Sequence, residues 1–183
     1  LKNRVVFYDF SEIGKNVPNR LVGGFDDEFQ GDMVPRVTYM GNPYSCAFSG
    51  KALTFFSSRN LASPELVEQR NIEERIDSVF YSDEYAAAIV RNTNGEYGSR
   101  LEVYKKDGTH VLSKEFNFEY THADFDGDLI ILYNEDSCRI YNMSGTEKFD
   151  ATFDFPVSKI RKGRFPGTLV VTGPQQMQEL KLR

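Results

Sequence analysis

The chain of 183 residues contains no tryptophan, two histidines and two cysteines. Cys46 and Cys138 lie far apart and form no C-x-x-C motif, so the sequence indicates neither a zinc knuckle nor a redox pair. We expect two free thiols that pack as small hydrophobic side chains, with a disulfide or a reactive thiol as the alternative. No run of about 18 apolar residues occurs, so no part of this chain is expected to insert into a bilayer.

Positive charge is also scarce. The 22 lysines and arginines are outnumbered by 27 aspartates and glutamates, which gives a net charge of −5. Because a nucleic-acid partner requires clustered basic residues, this composition argues against nucleic-acid binding. The content of 40% hydrophobic and 14% aromatic residues is that of a globular protein, and a chain of this length can bury a core of its own.

The segment 100–156 contains nearly the same sequence twice, with an offset of 37 residues. The matched positions are Val103 with Ile140, Tyr104 with Tyr141, Gly108 with Gly145, Thr109 with Thr146, and Phe116 with Phe153. Repeats of about 20–50 residues are typical of stacked structural units, and strand-rich repeats of about 40 residues are typical of propeller blades.

Each repeat has the pattern of β-strands. In 148–155 the apolar residues alternate with polar ones, so Phe149, Ala151, Phe153 and Phe155 should share one face of a strand. The runs 86–90 and 129–133 are apolar throughout and of strand length, which predicts strands buried on both faces. A crowded inner strand with a more amphipathic outer strand favours blades stacked around an axis over a two-sheet sandwich. The predicted fold is therefore an all-β propeller of four-stranded antiparallel blades.

The repeat divides the single predicted domain, 1–183, into whole blades at 35–74, 75–119 and 120–156, with partial blades at 1–34 and 157–183. Val5–Phe10 matches a third strand whose first two strands are absent. Two arrangements are open. In a small four-bladed ring, Val5–Phe10 would lie beside Met177–Leu182; otherwise the chain is an arc of a larger propeller.

Residues 63–75 are the ambiguous segment. Ser63-Pro64 resembles a helix start, with an N-cap followed by proline at the first helical position. The repeat instead requires an outer strand here, and we predict the strand because tertiary context overrides local propensity.

Several phrases resemble a known family. Those that carry the resemblance are 6–10, 20–26, 78–82, 108–112 and the run from Tyr133-Asn134 into Cys138. The chain is similar to an uncharacterised family of bacterial propeller-like proteins, common in Gram-positive gut bacteria, whose members resemble WD40-like and quinoprotein-like propellers. The resemblance implies a short cytoplasmic segment, one membrane-spanning helix and an extracellular propeller of about twice this length, of which this chain is the C-terminal half. The implied location is the outer face of the cell membrane, with the anchoring helix outside this chain. It implies no activity and no functional residues.

One motif has the spacing of a calcium loop. Asp124, Asp126 and Asp128 alternate as the first ligands of such a loop do, and Glu135 stands at its twelfth position. A full loop would have to include the apolar run 129–133, so a tight Asp-Gly turn is the simpler interpretation. The acidic residues 26–28 and 32 form a second, weaker calcium candidate, which we interpret as a solvated loop.

We predict no catalytic residues and no cofactor. His110 and His122 are interpreted as structural, because nothing in their spacing forces contact with a nucleophile or a carboxylate. The absence of tryptophan gives no support to a quinone cofactor. Tyr8, Tyr104 and Tyr141 recur once per unit, which favours packing between blades over stacking on a ligand.

Three hypotheses follow. The first is a non-catalytic binding or scaffold module at the cell surface that meets a protein, peptide or glycan. The second is a hydrolase or lyase at the mouth of the channel, with calcium as an optional ion, which would bring carboxylates together with His122 or Tyr120 in one pocket. The third concerns assembly: incomplete end blades should expose residues such as Phe7, Leu180 and Leu182, and lead to closure of the chain on itself or to a dimer.

Overall fold

The computed structural model describes residues 4–11, 14–16, 20–26, 29, 34–92 and 96–182. These residues contain 17 strands in five antiparallel sheets. The first sheet has β1 (Val5–Tyr8) and β2 (Leu21–Phe25). The second has β3 (Arg36–Tyr39), β4 (Tyr44–Phe48), β5 (Ala52–Ser57) and β6 (Glu65–Asn71). The third has β7 (Ile76–Tyr81), β8 (Tyr85–Arg91), β9 (Ser99–Lys105) and β10 (His110–Phe116). The fourth has β11 (His122–Asp126), β12 (Leu129–Tyr133), β13 (Ser137–Asn142) and β14 (Glu147–Thr152). The last has β15 (Lys159–Lys162), β16 (Thr168–Thr172) and β17 (Met177–Lys181).

The sheets pack face to face in chain order. Four hydrophobic clusters join the first sheet to the second, the second to the third, the third to the fourth, and the fourth to the last. The first strands of neighbouring sheets lie close together, as β7 and β11 do, where the rings of Phe80 and Phe125 are 4.6 Å apart. The predicted all-β architecture of four-stranded antiparallel blades is confirmed.

Burial follows the predicted gradient within a sheet. Every residue of β12 is buried, as are the five residues 86–90 of β8, because these second strands have packed sheets on both sides. The fourth strands β10 and β14 alternate between covered and exposed side chains. Segment 65–71 is a strand, β6, as the repeat requires.

The same irregularity recurs between the two strands of the first sheet and between the third and fourth strands of the next three sheets. The register shifts by one position at four equivalent places: Phe7/Tyr8, Phe55/Phe56, Val103/Tyr104 and Ile140/Tyr141. Val103 pairs with Leu112 and Ile140 pairs with Phe149, so the two residues occupy equivalent positions, as the 37-residue offset predicts.

Tyr104 and Tyr141 both pack against the preceding sheet. The ring of Tyr104 lies 6.1 Å from that of Phe55, and the ammonium of Lys114 lies 5.6 Å from the centre of the Tyr141 ring. The predicted packing role between blades is therefore confirmed for these two tyrosines. Tyr8 is 53% exposed and packs on no preceding sheet among the described residues, so the structure does not show this role for it.

The two ends of the described chain do not pair with each other. β1 pairs with β2, and β17 pairs with β16, so the described strands do not form the four-bladed alternative, in which the first strand would lie beside the last. The predicted exposed residues are wrong. Phe7 packs on Phe25 and Phe56, and Leu180 and Leu182 pack on the cluster between the fourth and last sheets. The exposed large hydrophobic side chains of the first sheet are instead those of Val6, Tyr8 and Leu21, with Phe10 just beyond.

Candidate binding cleft

The three carboxylates of the predicted calcium motif lie at the hairpin between β11 and β12. Asp124 accepts a hydrogen bond from Nη1 of Arg161, and Asp126 accepts one from the backbone N–H of Lys162, both at 2.7 Å. The Lys162 ammonium binds Asp128 and holds the pKa of that carboxyl below its usual value. All three carboxylates are therefore engaged by β15 of the last sheet.

The loop itself is a short turn. Gly127 has a φ of +62°, which turns the chain directly into the buried strand β12, so Glu135 lies beyond that strand. Among the described residues, no three His, Cys, Asp or Glu side chains are grouped as a metal ion needs. Most of the second acidic candidate, namely residues 27, 28 and 32, lies outside the described residues. The calcium site stays a prediction, and a calcium titration of the melting temperature tests it because a bound ion stabilises the folded state by mass action.

The two histidines lie in different sheets. His110 Nε2 is 3.2 Å from Oε2 of Glu102, on the side of the third sheet that packs on the second. His122 stacks on Tyr133 with ring centres 4.8 Å apart, and its Nδ1 is 2.9 Å from the Thr121 hydroxyl.

The cysteines are free, as expected, and both are buried. Burial raises the pKa of Cys138 to about 12 and raises that of Cys46 further still. Because the thiolate is the reactive form, neither thiol is poised for nucleophilic chemistry.

One position of the third strand is polar in all three whole sheets, and it is buried in two of them and half-buried in the fourth sheet. It is occupied by Thr54, Glu102 and Arg139, and each is paired directly across to the fourth strand, with Gln69, Ser113 and Asp150 respectively. Each pair is hydrogen-bonded: Gln69 Nε2 to Thr54 at 3.2 Å, Ser113 Oγ to Glu102 at 2.8 Å, and Arg139 Nη2 to Asp150 at 2.9 Å. The same position thus carries a neutral hydrogen bond in the second sheet, a carboxylate–hydroxyl hydrogen bond in the third and an ion pair in the fourth.

In the third sheet this position belongs to a larger ionic cluster. Arg100 donates from Nε to Glu102 at 2.6 Å and makes two hydrogen bonds to Glu74, at 2.7 and 2.9 Å. The hydrogen bond to Glu74 is the main cause that raises the pKa of Arg100, and in return Arg100 lowers the pKa of Glu74. A two-pronged arginine–carboxylate pair is a strong and directional contact.

An open cleft lies beside this cluster, at the end of the sheets where second strands end and third strands begin. We call it the junction cleft. One part, of about 500 Å³, lies between the third and fourth sheets and is lined by Asp77, Arg91, Ser99, Phe118, Glu119, Tyr120, Thr121 and Asn134. The other part, of about 650 Å³, shares Asp77 and Arg91 and adds Glu73, Glu74 and Arg75.

The sequence builds the junction cleft from the connections between sheets. Residues 72–75 lead from β6 to β7, and residues 117–121 lead from β10 to β11, so both connections reach the same end of the stack. In the sequence, the charged residues at these boundaries were the signal that could have indicated the cleft. Of the residues that line the cleft, the sequence analysis named only Tyr120 as a candidate site residue. The other lining residues could not be predicted, because a repeat pattern does not give the distances between residues of neighbouring sheets.

The floor of the junction cleft is held by fixed polar contacts. Arg91 Nε donates to Asp77 at 3.1 Å, and the Arg91 side chain is 69% exposed. The hydroxyls of Ser78 and Tyr120 lie 2.7 Å apart, and burial raises the pKa of Tyr120. The junction cleft therefore presents exposed charges of both signs beside hydrogen-bonded polar groups, which suits binding of a polar partner.

The sequence comparisons give the family. The profile of a family of unknown function, DUF5711, matches residues 1–182. The chain belongs to this family. No curated protein sequence matches this DUF5711 chain. Within the described residues, no helix is long and apolar enough to cross a membrane.

Solved structures resemble the DUF5711 chain in fold. Sqt1 of Saccharomyces cerevisiae is 12% identical, with a TM-score of 0.55, and the match covers 90% of this chain and 50% of Sqt1. The WD40 domain of Neurospora crassa Pan2 is 10% identical, with a TM-score of 0.52, covering 98% of this chain and 56% of that one. BBS1N in complex with ARL6DN is 11% identical, with a TM-score of 0.51, covering 88% and 55%. The chain thus has the WD40-type β-propeller fold and spans about half the length of these structures. Such low identity establishes the fold alone.

Proposed function

We propose that this DUF5711 chain is a non-catalytic module that binds a protein or peptide through the junction cleft. The observation that carries the proposal is the cleft itself, in which Asp77 and Arg91 form the shared wall of two adjoining hollows. Loops on a rigid β scaffold are well suited to recognition, because the sheets hold the contact residues at fixed separations.

The chemistry of the cleft favours a polypeptide over a glycan. Exposed charges of both signs, such as Arg91 and Glu119, complement the charged side chains of a protein, whereas a neutral glycan offers no opposite charge. Similar folds support this class of partner, since BBS1N was solved in complex with another protein, ARL6DN.

The proposal includes presentation at the outer cell surface. In a longer protein of a Gram-positive bacterium, an N-terminal membrane helix would hold the propeller outside the cell. The support is the resemblance described above, and protease treatment of intact cells tests it: the propeller should be cleaved without lysis. A propeller that is protected until the cells are broken would contradict the location.

A site-specific photo-crosslinker tests the binding surface. Placed at Arg91 in the cell-produced protein, it should give an adduct of defined mass with a protein partner. The matched control is the same crosslinker at Arg164, an exposed arginine in the β15–β16 turn at the opposite end of the sheets. The adduct should also disappear in an Asp77→Lys background, because the charge of the cleft wall is reversed. Equal adducts from both positions, or none, would contradict the proposal.

The enzymatic alternative needs carboxylates that converge with His122 or Tyr120. The Tyr120 hydroxyl contacts Ser78, and the His122 ring contacts Tyr133 and Thr121. Since a hydrolase or lyase requires a base aimed at a reacting group, these contacts favour binding over catalysis.

A further inference from the structure

The connection from β10 to β11, residues 117–121, forms one wall of the junction cleft, and its first residues are held by two sheets. Asn117 Oδ1 accepts a hydrogen bond from the Gly98 N–H of the third sheet at 2.6 Å. The Asn117 carbonyl accepts one from Nη1 of Arg139, in the fourth sheet, at 3.1 Å. The Arg139 guanidinium also lies 5.2 Å from the centre of the Phe118 ring. The start of this wall is therefore fixed relative to both sheets that border it.

The rest of the connection is held in the same way, with one side chain left over. The Glu119 carbonyl accepts a hydrogen bond from Asn134 Nδ2 at 2.7 Å. The Tyr120 hydroxyl is bonded to the third sheet, and the Thr121 N–H donates to the Tyr133 carbonyl at 3.0 Å. The Glu119 carboxylate, in contrast, is exposed and has no hydrogen bond or ion pair to any described residue. Glu119 therefore presents a free carboxylate from a backbone of fixed position.

The charge of Glu119 is also uncompensated within its part of the junction cleft. The charged residues that line the part between the third and fourth sheets are Asp77, Arg91 and Glu119. Asp77 and Arg91 form an ion pair with each other, at 3.1 Å, so their charges cancel. The described lining of this part thus has a net charge of about −1, and that charge belongs to Glu119.

The adjoining part of the junction cleft favours neither sign of charge. Glu74 is neutralised by its two hydrogen bonds from Arg100. Glu73 and Arg75 are both exposed, carry opposite charges and stand two positions apart in the chain. The preference of the whole cleft for one sign of charge therefore depends on Glu119.

We propose that Glu119 determines the specificity of the junction cleft by binding a basic side chain, lysine or arginine, of the partner polypeptide. This inference rests on the proposed binding function and adds the sign of charge that the cleft recognises. Complementary charge gives an interface its specificity, and a basic group neutralises the carboxylate that the described residues leave unpaired. The carbon chain of lysine or arginine lies along apolar surface while its charged end stays in water, and the rings of Phe118 and Tyr120 line the same part of the cleft. Because the backbone of Glu119 is already fixed, binding requires little ordering of the protein.

Short peptide probes test this chemistry by NMR titration of the amide signals. The probes are acetyl-Gly-Arg-Gly-amide and acetyl-Gly-citrulline-Gly-amide, in which citrulline is a neutral side chain of nearly the same shape as arginine. The arginine peptide should shift the signals of residues 118–121 and bind about twofold to fivefold more tightly than the citrulline peptide, as an exposed ion pair allows. Glu119→Gln should remove this difference, whereas the matched change Glu179→Gln, at an exposed carboxylate of β17, should preserve it. Equal shifts from the two peptides, or no shift in this segment from either, would overturn the proposal.

The photo-crosslinker at Arg91 separates this proposal from the proposed function. The protein adduct should be lost in a Glu119→Lys background, where the uncompensated charge is reversed, and should persist in the Glu179→Lys control. An adduct of unchanged yield in Glu119→Lys would overturn the role of Glu119 and leave the binding function intact. Selective binding of the arginine peptide without any protein adduct would do the reverse: it would contradict the protein-binding function and support the preference of the cleft for a basic group. Both lysine variants should melt as the wild type does, since neither removes a described contact of the folded chain.

Discussion

At the scale of single residues, the most consequential group is Glu102. It is 8% exposed and accepts hydrogen bonds from Arg100 and Ser113, with His110 also in reach. Glu102→Ala should reduce the free energy of unfolding by about 1.5–3 kcal/mol, because it removes charge-assisted hydrogen bonds that a buried carboxylate accepts from the half-buried Arg100 and from Ser113. Glu84→Ala breaks the Lys106 ion pair, in which the Glu84 side chain is 63% exposed, and should cost less than about 1 kcal/mol. Urea unfolding measures both, and equal costs would contradict this role of Glu102.

The Glu74–Arg100 pair should make stability depend on pH. Arg100 lowers the pKa of Glu74 below its usual value of 4.5. A carboxyl with a lowered folded-state pKa stabilises the protein above its unfolded pKa, and this contribution is lost as the pH falls through the folded value. The difference in melting temperature between wild type and Glu74→Gln should therefore be largest near neutral pH and should shrink below about pH 4.5. A difference that stays constant from pH 7 to about pH 3 would contradict this linkage.

At the scale of elements, the turn between the third and fourth strands meets the preceding sheet. Gly108 has a φ of +82°, and a Cβ there would lie 2.5 Å from Cβ of Glu68 and 3.0 Å from the Phe55 ring. Gly167 has a similar φ of +73° with no atom within 4 Å of an added Cβ. Gly167→Ala should cost about 1–2 kcal/mol for its left-handed backbone, and Gly108→Ala should cost about 1–3 kcal/mol more for overpacking. Urea unfolding compares the two variants, and equal costs would show that the turn does not contact its neighbour tightly.

The positions of the strands are the part of the structure that the sequence predicted best. The apolar runs 86–90 and 129–133 located β8 and β12, because a strand buried on both faces has a composition that few other structures share. Local propensity favoured a helix start at Ser63-Pro64, and only the register of the repeat predicted the strand β6. Phe153 and Phe155 were predicted within the last strand of their unit, but β14 ends at Thr152 and the two rings fill the space against the last sheet.

The limits of sequence reasoning have a common physical cause. Period-two alternation shows that Phe7 and Tyr8 lie on opposite faces, but it does not show which face has a neighbour. The sequence therefore predicted that Phe7 is exposed, but the exposed side chain is that of Tyr8. The junction cleft was missed for the same reason, since Asp77 and Asn134 come together only through the stacking of two sheets.

At the scale of the whole molecule, each sheet packs only on its neighbours in the chain, so stability should resemble that of a one-dimensional array. The third and fourth sheets each have a packed sheet on both sides. The first sheet has two described strands and one covered face. Amide hydrogen exchange should therefore be fastest in β1 and β2 and slowest in β8, β9, β12 and β13. Uniform protection across the five sheets would instead indicate a single cooperative unit.

The polar pairs between third and fourth strands also affect which strands can pair during folding. Repeats of similar sequence are prone to mispairing while they fold. If β9 were to align with β14 in place of β10, Glu102 would face Asp150, two carboxylates directly opposite each other, which is unfavourable in a sheet. Three sheets of nearly the same shape thus carry different polar pairs, and the difference disfavours at least one misassembly, the pairing of β9 with β14.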